Sequence, residues 1–257
     1  MRILIKLGGT LLDDPDSRAR LAREIVSAAG PPNYETVIVH GGGKQMTRFL
    51  AERGIESHFI NGLRVTTPEV IDAVVKVFAG SVNTQLVSAF RAAGARPVGL
   101  TGLDAGLVDA EILSPDLGQV GKPACSDARI LEALVLGCYL PVVACVAGDA
   151  QGRIFNVNAD QMAVACASSF FVNKLLFLTD VEGVRDGGGV VREVLTAAEA
   201  TSFIDQGVAT GGMQAKLEAA MSALHAGVGE VLIAPGAKPG IVGLALNGSQ
   251  VGTRLIR

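Results

Sequence analysis

Two lysines occupy positions where an ammonium group is unfavourable without an anion beside it. Lys6 stands among Ile3, Leu4, Ile5 and Leu7, and a charge buried in such company is costly unless it is paired. Lys216 follows Gly211-Gly212-Met213-Gln214-Ala215, a glycine turn leading into a helix, and in a first turn the macrodipole opposes a cation by up to about 1 kcal/mol. An anionic ligand such as a phosphate would reverse both penalties. The plainer readings are a Lys6 that snorkels from a half-exposed strand and a Lys216 that is solvated on an amphipathic helix. Gly8-Gly9 beside Lys6 weakens the first of these.

The glycines carry the same suggestion. Lys6-Leu7-Gly8-Gly9-Thr10 and His40-Gly41-Gly42-Gly43-Lys44 each close an apolar run and open a helical one. Without Cβ atoms such a turn lets backbone amides approach a phosphate, and the helix start adds partial positive charge. A single turn of this kind serves packing as readily as phosphate, whereas two in succession favour phosphate. Neither fits G-x-x-x-x-G-K-[ST] or G-x-G-x-x-G, which disfavours a P-loop or a dinucleotide site. His40 reads as a buried, hydrogen-bonded strand residue rather than a catalytic base.

The elements that must position these residues alternate along the chain. Near-continuous apolar runs at Ile3–Leu7, Thr36–His40, Ala95–Leu100, Leu140–Ala147, Lys174–Leu178 and Glu230–Ala234 predict strands buried on both faces. Between them, helices are predicted at Ser17–Ala29, Lys44–Arg53, Pro68–Ala92, Asp127–Leu136, Ala159–Ser168, Ala197–Gln206 and Met213–Ala226. Thr67 before Pro68 is a usable start, and Thr196-Ala197-Ala198-Glu199 is a capping box. Asn61-Gly62 between two short apolar runs predicts a tight hairpin. The glycine-rich stretch from Gly99 to Lys122 suggests further hairpins at the rim of the main sheet. The fold class is therefore α/β on a mainly parallel sheet, as one mixed unit with a soft division near Leu178.

Composition excludes several other functions. Basic residues number 22 against 25 acidic ones, with two tyrosines and no tryptophan, unlike a surface suited to nucleic acid. With 49% hydrophobic and 18% charged residues the chain is not a disordered one. A mean hydropathy of +0.41 raises the question of a membrane. The longest uncharged stretch, Ala133–Gly148, is broken by Gly137 and Pro141 and is shorter than the ~20 apolar residues a span requires. Met1-Arg2-Ile3-Leu4-Ile5-Lys6 lacks the apolar core of an export signal. The expectation is a cytoplasmic protein with a small-molecule partner and neither nucleic acid nor membrane. Cys125, Cys138, Cys145 and Cys166 form no C-x-x-C pair, which predicts small buried hydrophobes rather than zinc ligands or disulfides.

Taken in order, Lys6-Leu7-Gly8-Gly9, His40-Gly41-Gly42-Gly43, Asn61-Gly62-Leu63-Arg64-Val65-Thr66, Asn156-Val157-Asn158-Ala159-Asp160 and Gly212-Met213-x-x-Lys216 resemble the motif series of the amino acid kinase family. The likeness extends to Gly252-Thr253-Arg254, nearly the whole chain. It implies an αβα sandwich of the carbamate kinase-like type. Residues 1–178 would form an N-terminal lobe for the acyl amino acid and for dimerisation, and residues 179–257 a C-terminal lobe for ATP, in one continuous fold. The implied activity is ATP-dependent phosphorylation of the side-chain carboxylate of N-acetyl-L-glutamate, in arginine biosynthesis.

By the same resemblance, Gly42 and Gly43 would contact the substrate and, with Gly8 and Gly9, line the path of the transferred group. Arg64 would grip the α-carboxylate, and Asn156 and Asn158 would bind the substrate, the latter at its acylamino end. Lys6 and Lys216 would stabilise the phosphoryl group, with Asp160 holding both. Thr179-Asp180-Val181-Glu182-Gly183-Val184 and Val208-Ala209-Thr210 would form the nucleotide pocket.

The chemistry is self-consistent. A carboxylate is already ionised near pH 7 and needs no base; what it needs is relief of repulsion from the phosphate, which lysines, backbone amides and a nucleotide-borne Mg²⁺ provide. No protein-held metal is expected. His58 and Phe59 stand where several relatives carry lysines. Arginine-inhibited relatives carry an extra N-terminal helix that builds hexamers, and with five residues ahead of Lys6 the expectation is an arginine-insensitive homodimer. The alternatives are a kinase for a carrier-linked aminoadipate or glutamate, which a basic hairpin rim would favour but Glu56-Ser57-His58-Phe59 does not, and a catalytically silent nucleotide-binding subunit.

Overall fold

A computed structural model describes residues 1–257. The first apolar run forms β1 (Arg2–Leu7), followed by a short 3₁₀ turn and α1 (Pro15–Ala29). Then come β2 (Glu35–His40), α2 (Gly43–Ala51) and the hairpin β3 (Phe59–Ile60) and β4 (Leu63–Arg64). Asn61 and Gly62 have φ of 50° and 78°, the paired positive values that the Asn-Gly turn predicts.

The long helix predicted at Pro68–Ala92 has three parts: α3 (Pro68–Val74), a π-helical stretch (Val75–Val82) and α4 (Asn83–Ala92). Thr67 caps its start by accepting from the Val70 amide at 3.3 Å. By length and hydropathy this helix has the makings of a membrane span. In the fold it is a core element, with Val74, Val82, Leu86 and Phe90 buried and an Asp72–Lys76 ion pair on its outer face.

The chain continues through β5 (Pro97–Thr101), β6 (Val108–Ile112), β7 (Val120–Ser126), α5 (Arg129–Leu136), β8 (Leu140–Ala144), β9 (Val146–Gly148), β10 (Ile154–Val157) and α6 (Ala159–Ser169). The last third holds β11 (Lys174–Thr179), β12 (Val194–Thr196), α7 (Ala197–Asp205), α8 (Gly211–His225), β13 (Glu230–Pro235), α9 (Ile241–Leu246) and β14 (Thr253–Ile256). The capping box at Thr196 is present in both directions, Glu199 Oε2 accepting from the Thr196 amide at 2.8 Å and Thr196 Oγ1 from the Glu199 amide at 3.2 Å.

Eight strands form the central sheet in the order β12-β14-β13-β11-β1-β2-β8-β5. All neighbours are parallel except β13 and β14. One contiguous core of 66 buried residues reaches from Ile3 to Leu255, so neither end of the sheet has a core of its own. In the register of β1, Leu7 lies beside His40 on one side and Leu178 on the other. The two glycine turns and Thr179 therefore leave the sheet at one edge, the carboxyl ends of adjacent parallel strands, where α/β folds bind ligands.

Two predicted features differ. β5 runs to Thr101 as the edge of the main sheet, and the stretch after it makes one antiparallel hairpin, β6–β7, that closes with β9 and β10 into a separate four-stranded barrel. The run Leu140–Ala147 is divided at Cys145, with β8 in the main sheet and β9 in the barrel. Both halves are buried, so an unbroken apolar run conceals a change of partner. Of the cysteines, Cys145 and Cys166 are buried as expected and burial pushes each thiol up to about 12. Cys125 and Cys138 are exposed, Cys125 on β7 and Cys138 in a positive-φ turn at 57° just after α5.

Candidate active site

Asp160 joins the two distant lysines. Its Oδ1 lies 2.7 Å from Lys6 Nζ and its Oδ2 3.6 Å from Lys216 Nζ. Lys6 is 7% exposed and Asp160 6%. The carboxylate is aimed by its helix: Asn158 is the N-cap of α6, and its Oδ1 accepts from the amides of Asp160 at 2.8 Å and Gln161 at 3.3 Å. Burial alone would raise the Asp160 pKa, but the ammonium of Lys6, seconded by Lys216, holds it below its ordinary value. Two ammonium groups on one carboxylate leave one positive charge uncompensated, between the end of β1 and the second turn of α8, which starts at Gly211 and so places Lys216 one turn deeper than predicted. That arrangement attracts an anion.

The glycine turns interlock beneath this charge. The Gly8 amide donates to Leu178 oxygen at 2.8 Å, and a Cβ on Gly8 would stand 3.0 Å from that oxygen. A Cβ on Gly9 would stand 3.1 Å from the Gly43 nitrogen, and one on Gly42 3.0 Å from Phe78 Cδ1 and Val82 Cγ2. Gly43 meets nothing within 4 Å and faces open space. His40 is fully buried and hydrogen-bonded through both ring nitrogens, as its strand position predicts.

Arg64 is no hairpin-edge arginine facing water. It is 9% exposed and turns onto α2, donating from Nη1 to Ser57 Oγ at 2.5 Å and from Nη2 to Thr47 Oγ1 at 2.8 Å and Gly43 oxygen at 3.3 Å. Phe59 covers one face, its ring centroid 4.7 Å away. Arg64 pairs with no acid, and burial lowers its pKa, the condition of a guanidinium awaiting an anion. Sequence reasoning missed Thr47 and Ser57. A Thr four residues after Gly43, on the face of α2 that looks along the turn, was the available sign for the first; Ser57 lies in a loop without periodicity. Asn156, on β10, donates to Thr66 Oγ1 at 3.0 Å.

The proposed nucleotide residues divide into an outer and an inner set. Thr179 ends β11 with its hydroxyl on Asp180 Oδ1 at 3.0 Å, and Asp180, Val181 and Glu182 are exposed. Gly183 and Val184 turn inward, the Val184 amide donating to Thr253 Oγ1 at 2.8 Å; a Cβ on Gly183 would stand 2.7 Å from that oxygen. Ala209 is 2% exposed and, like Val208, hydrogen-bonds Phe203 oxygen at 2.9 Å. Thr210 is exposed at the N-cap of α8.

A scan against family models matches residues 1–235 to the amino acid kinase family. The chain belongs to the amino acid kinase family. Its relatives include a protein named acetylglutamate kinase from Solibacter usitatus, 58% identical over 256 residues that cover 100% of this chain and 99% of that one. Another so named, from Koribacter versatilis, is 40% identical over 93% of this chain and 92% of its own. Among solved structures, smu.665 from Streptococcus mutans superposes with a TM-score of 0.80 at 28% identity, covering 99% of this chain and 98% of that one.

A kinase of this family takes its phosphoryl group from ATP. A cleft of about 780 Å³ opens between the β3–β4 hairpin, β7 and α8, and its lining includes Asn158 and Gln161 but not Lys6, Asp160, Lys216 or Arg64. Asn158 and Gln161 from α6 face Gly211 and Gln214 from α8 across it. Another cavity, about 340 Å³, lies away from the amino acid kinase motifs, between the ends of α1 and α5.

Proposed function

We propose that the protein is an acetylglutamate kinase, transferring the γ-phosphoryl group of ATP to the side-chain carboxylate of N-acetyl-L-glutamate in arginine biosynthesis. The observation that carries this reading is the convergence of Lys6 and Lys216 on Asp160 beside an inward-turned, acid-free Arg64. A relative of that name at 58% identity over the full chain supports the choice of substrate.

In this reading Arg64 binds the planar α-carboxylate as a bidentate donor, and Asn158, whose Oδ1 is used in capping α6, keeps its Nδ2 hydrogens for the acylamino oxygen. Asn156 braces Thr66 beside it. A side-chain carboxylate oxygen attacks the γ-phosphorus, the bond to the β–γ bridging oxygen breaks, and ADP leaves with that electron pair; no proton moves. Lys6, Lys216 and the Gly9 and Gly43 amides meet the charge on the phosphoryl oxygens, while Asp160 keeps both ammonium groups in place. Gly9 also lets the two turns approach one another, while Gly8 lets the first turn close on Leu178 and Gly42 leaves room for Phe78 and Val82. Thr179 to Glu182 and Thr210 face the nucleotide, with Gly183, Val184, Val208 and Ala209 shaping the pocket from behind. In this reading a Mg²⁺ ion is carried by the nucleotide. That ion would neutralise charge on the β- and γ-phosphate oxygens.

The same reading makes the enzyme a cytoplasmic homodimer. Support for pairing is the unpaired outer edge of β5, which a second copy would cover. Glu56, beside the hairpin, has a side chain 83% exposed, an unsuitable neighbour for an acidic carrier protein. The test is hydroxylamine trapping of acyl phosphate with MgATP and N-acetylglutamate, glutamate, aspartate or a carrier-linked aminoadipate. Hydroxamate with N-acetylglutamate alone is expected. Product with the carrier-linked acceptor alone, or with none, overturns the assignment.

A further inference from the structure

His40, a buried base for which this phosphoryl transfer has no use, belongs to a chain of contacts that ends on the second glycine turn. Asn83 Nδ2 lies 2.9 Å from Val142 oxygen and 3.0 Å from His40 Nε2. Only the nitrogen of the amide can donate to a carbonyl, so the orientation of Asn83 is settled, and its second hydrogen goes to His40 Nε2, which accepts. The ring proton is therefore on Nδ1, which donates to Gly41 oxygen at 2.9 Å. Burial lowers the imidazole pKa to about 4, which keeps the ring neutral near pH 7.

Gly41 oxygen is one end of the peptide that joins Gly41 to Gly42. In a trans peptide the C=O and N–H point opposite ways, so tying the oxygen to His40 turns the Gly42 N–H away from the ring. The nitrogens of the turn face Gly9, whose Cβ, if present, would stand 3.1 Å from Gly43 nitrogen and 3.8 Å from Gly42 nitrogen. The Gly42 amide donates to no protein acceptor, and the Gly43 amide, on the first residue of α2, has none within its helix. Phe78 and Val82 press on Gly42 from the other side. Both come from the π-helical stretch, which ends immediately before Asn83. Such stretches are rare and concentrate at functional sites. Here one stretch supplies the wall behind the turn and places the residue that sets the tautomer of His40.

We infer that His40 is a positioning residue for phosphoryl transfer: its Nδ1–H, fixed by Asn83, holds the Gly41 peptide so that the Gly42 and Gly43 amides stay aimed at the group passing between the two glycine turns. The inference rests on the kinase reading above. His40→Asn keeps a donor near the Nδ1 position, whereas His40→Leu removes it. With an aim lost by about 1 Å, His40→Leu is expected to lower kcat about 10- to 100-fold, KM for both substrates moving less than about 3-fold and the circular dichroism unchanged. His40→Asn recovers most of kcat. If the leucine variant does not fold, Asn83→Ala, which removes the donor to Nε2, carries the same comparison. The ¹⁵N imidazole spectrum of the unmodified protein should show the Nδ1–H tautomer at neutral pH. An unchanged kcat in His40→Leu, or equal losses in the leucine and asparagine variants, overturns the inference. So does an Nε2–H tautomer, which is read whether or not the protein phosphorylates anything. Wild-type inactivity on every acceptor overturns the kinase reading instead and leaves the tautomer to decide the hold on Gly41.

Discussion

At the scale of single residues the site is a problem of charge. Asp160 is nearly devoid of solvent and keeps its negative charge because Lys6 and Lys216 flank it. Replacing either lysine by alanine removes a donor to the transferred group and is expected to lower kcat about 10²- to 10³-fold with little change in KM for the acceptor, as steady-state kinetics would show. Asp160→Asn leaves Lys6 buried without its counter-charge and should cost about 3–5 kcal/mol at neutral pH. Because the folded carboxyl titrates below its ordinary value, the unfolded chain takes the proton first as the pH drops. The stabilisation is thus complete above about pH 4 and is lost as the pH falls through the folded value. Urea unfolding across that range should show wild type and Asp160→Asn differing most near neutrality and converging in acid. His40 acts in a higher window. Its pKa is about 4 against an ordinary 6.5, so between those values the unfolded ring binds a proton that the folded ring refuses. Stability therefore declines as the pH drops through that window, and His40→Asn should abolish that part of the slope.

At the scale of elements, what could be read from the chain depended on how strongly one environment marks each segment. The strands β1, β2, β11 and β13 are buried on both faces and stand out as apolar runs with a glycine turn, a helix cap or a charged flank at the end. Three-residue β12 and alternating Thr253-Arg254-Leu255-Ile256 of β14 have no such mark, and their pairing depends on partners far away in sequence. β10 and α9 went unread for the same reason of length, at four and six residues. The change of sheet at Cys145 is invisible because burial is uninterrupted across it, and the π-helical stretch because its apolar side chains satisfy a helical period well enough. The costs of Lys6 and Lys216 each pointed to an anionic ligand, whereas Asp160 was joined to them only through the resemblance to the amino acid kinase motifs, because nothing in a first-turn helix acid marks it as the partner of two distant lysines. The supports of Arg64 were not, since Thr47 and Ser57 are ordinary helix and loop residues until the hairpin folds over them. That hairpin makes a prediction of its own. Arg64→Lys keeps the charge but loses the planar fork and the stacking on Phe59, so KM for the amino-acid substrate should rise in Arg64→Lys and further in Arg64→Ala, with kcat less affected. An unmoved KM in Arg64→Ala removes this arginine from the substrate site.

At the scale of the whole molecule, the proposed division between an acyl amino acid lobe (1–178) and a nucleotide lobe (179–257) runs through a continuous sheet. Leu178 lies in β11, which pairs residue by residue with β1 on one side and β13 on the other. A C-terminal segment 179–257 on its own would keep β13, β14 and β12 but lose β11, and with it the parallel partner of β13. The backbone N–H and C=O groups of Val231 to Ala234, paired with β11 in the intact fold, would face water, and the remaining strands would hold only the edge of the sheet. The core crosses the division as one cluster, and the ion pair between Asp160 and Lys216 crosses it at the site. The two proposed lobes are therefore parts of one cooperative unit rather than independently stable domains. Calorimetry of the full chain should give a single transition whose calorimetric and van't Hoff enthalpies agree, and the isolated segment 179–257 should show no cooperative unfolding by circular dichroism. A second, separable transition, or a folded fragment, would mean that nucleotide binding can be studied apart from the acyl amino acid lobe. On the geometry of β11 it cannot.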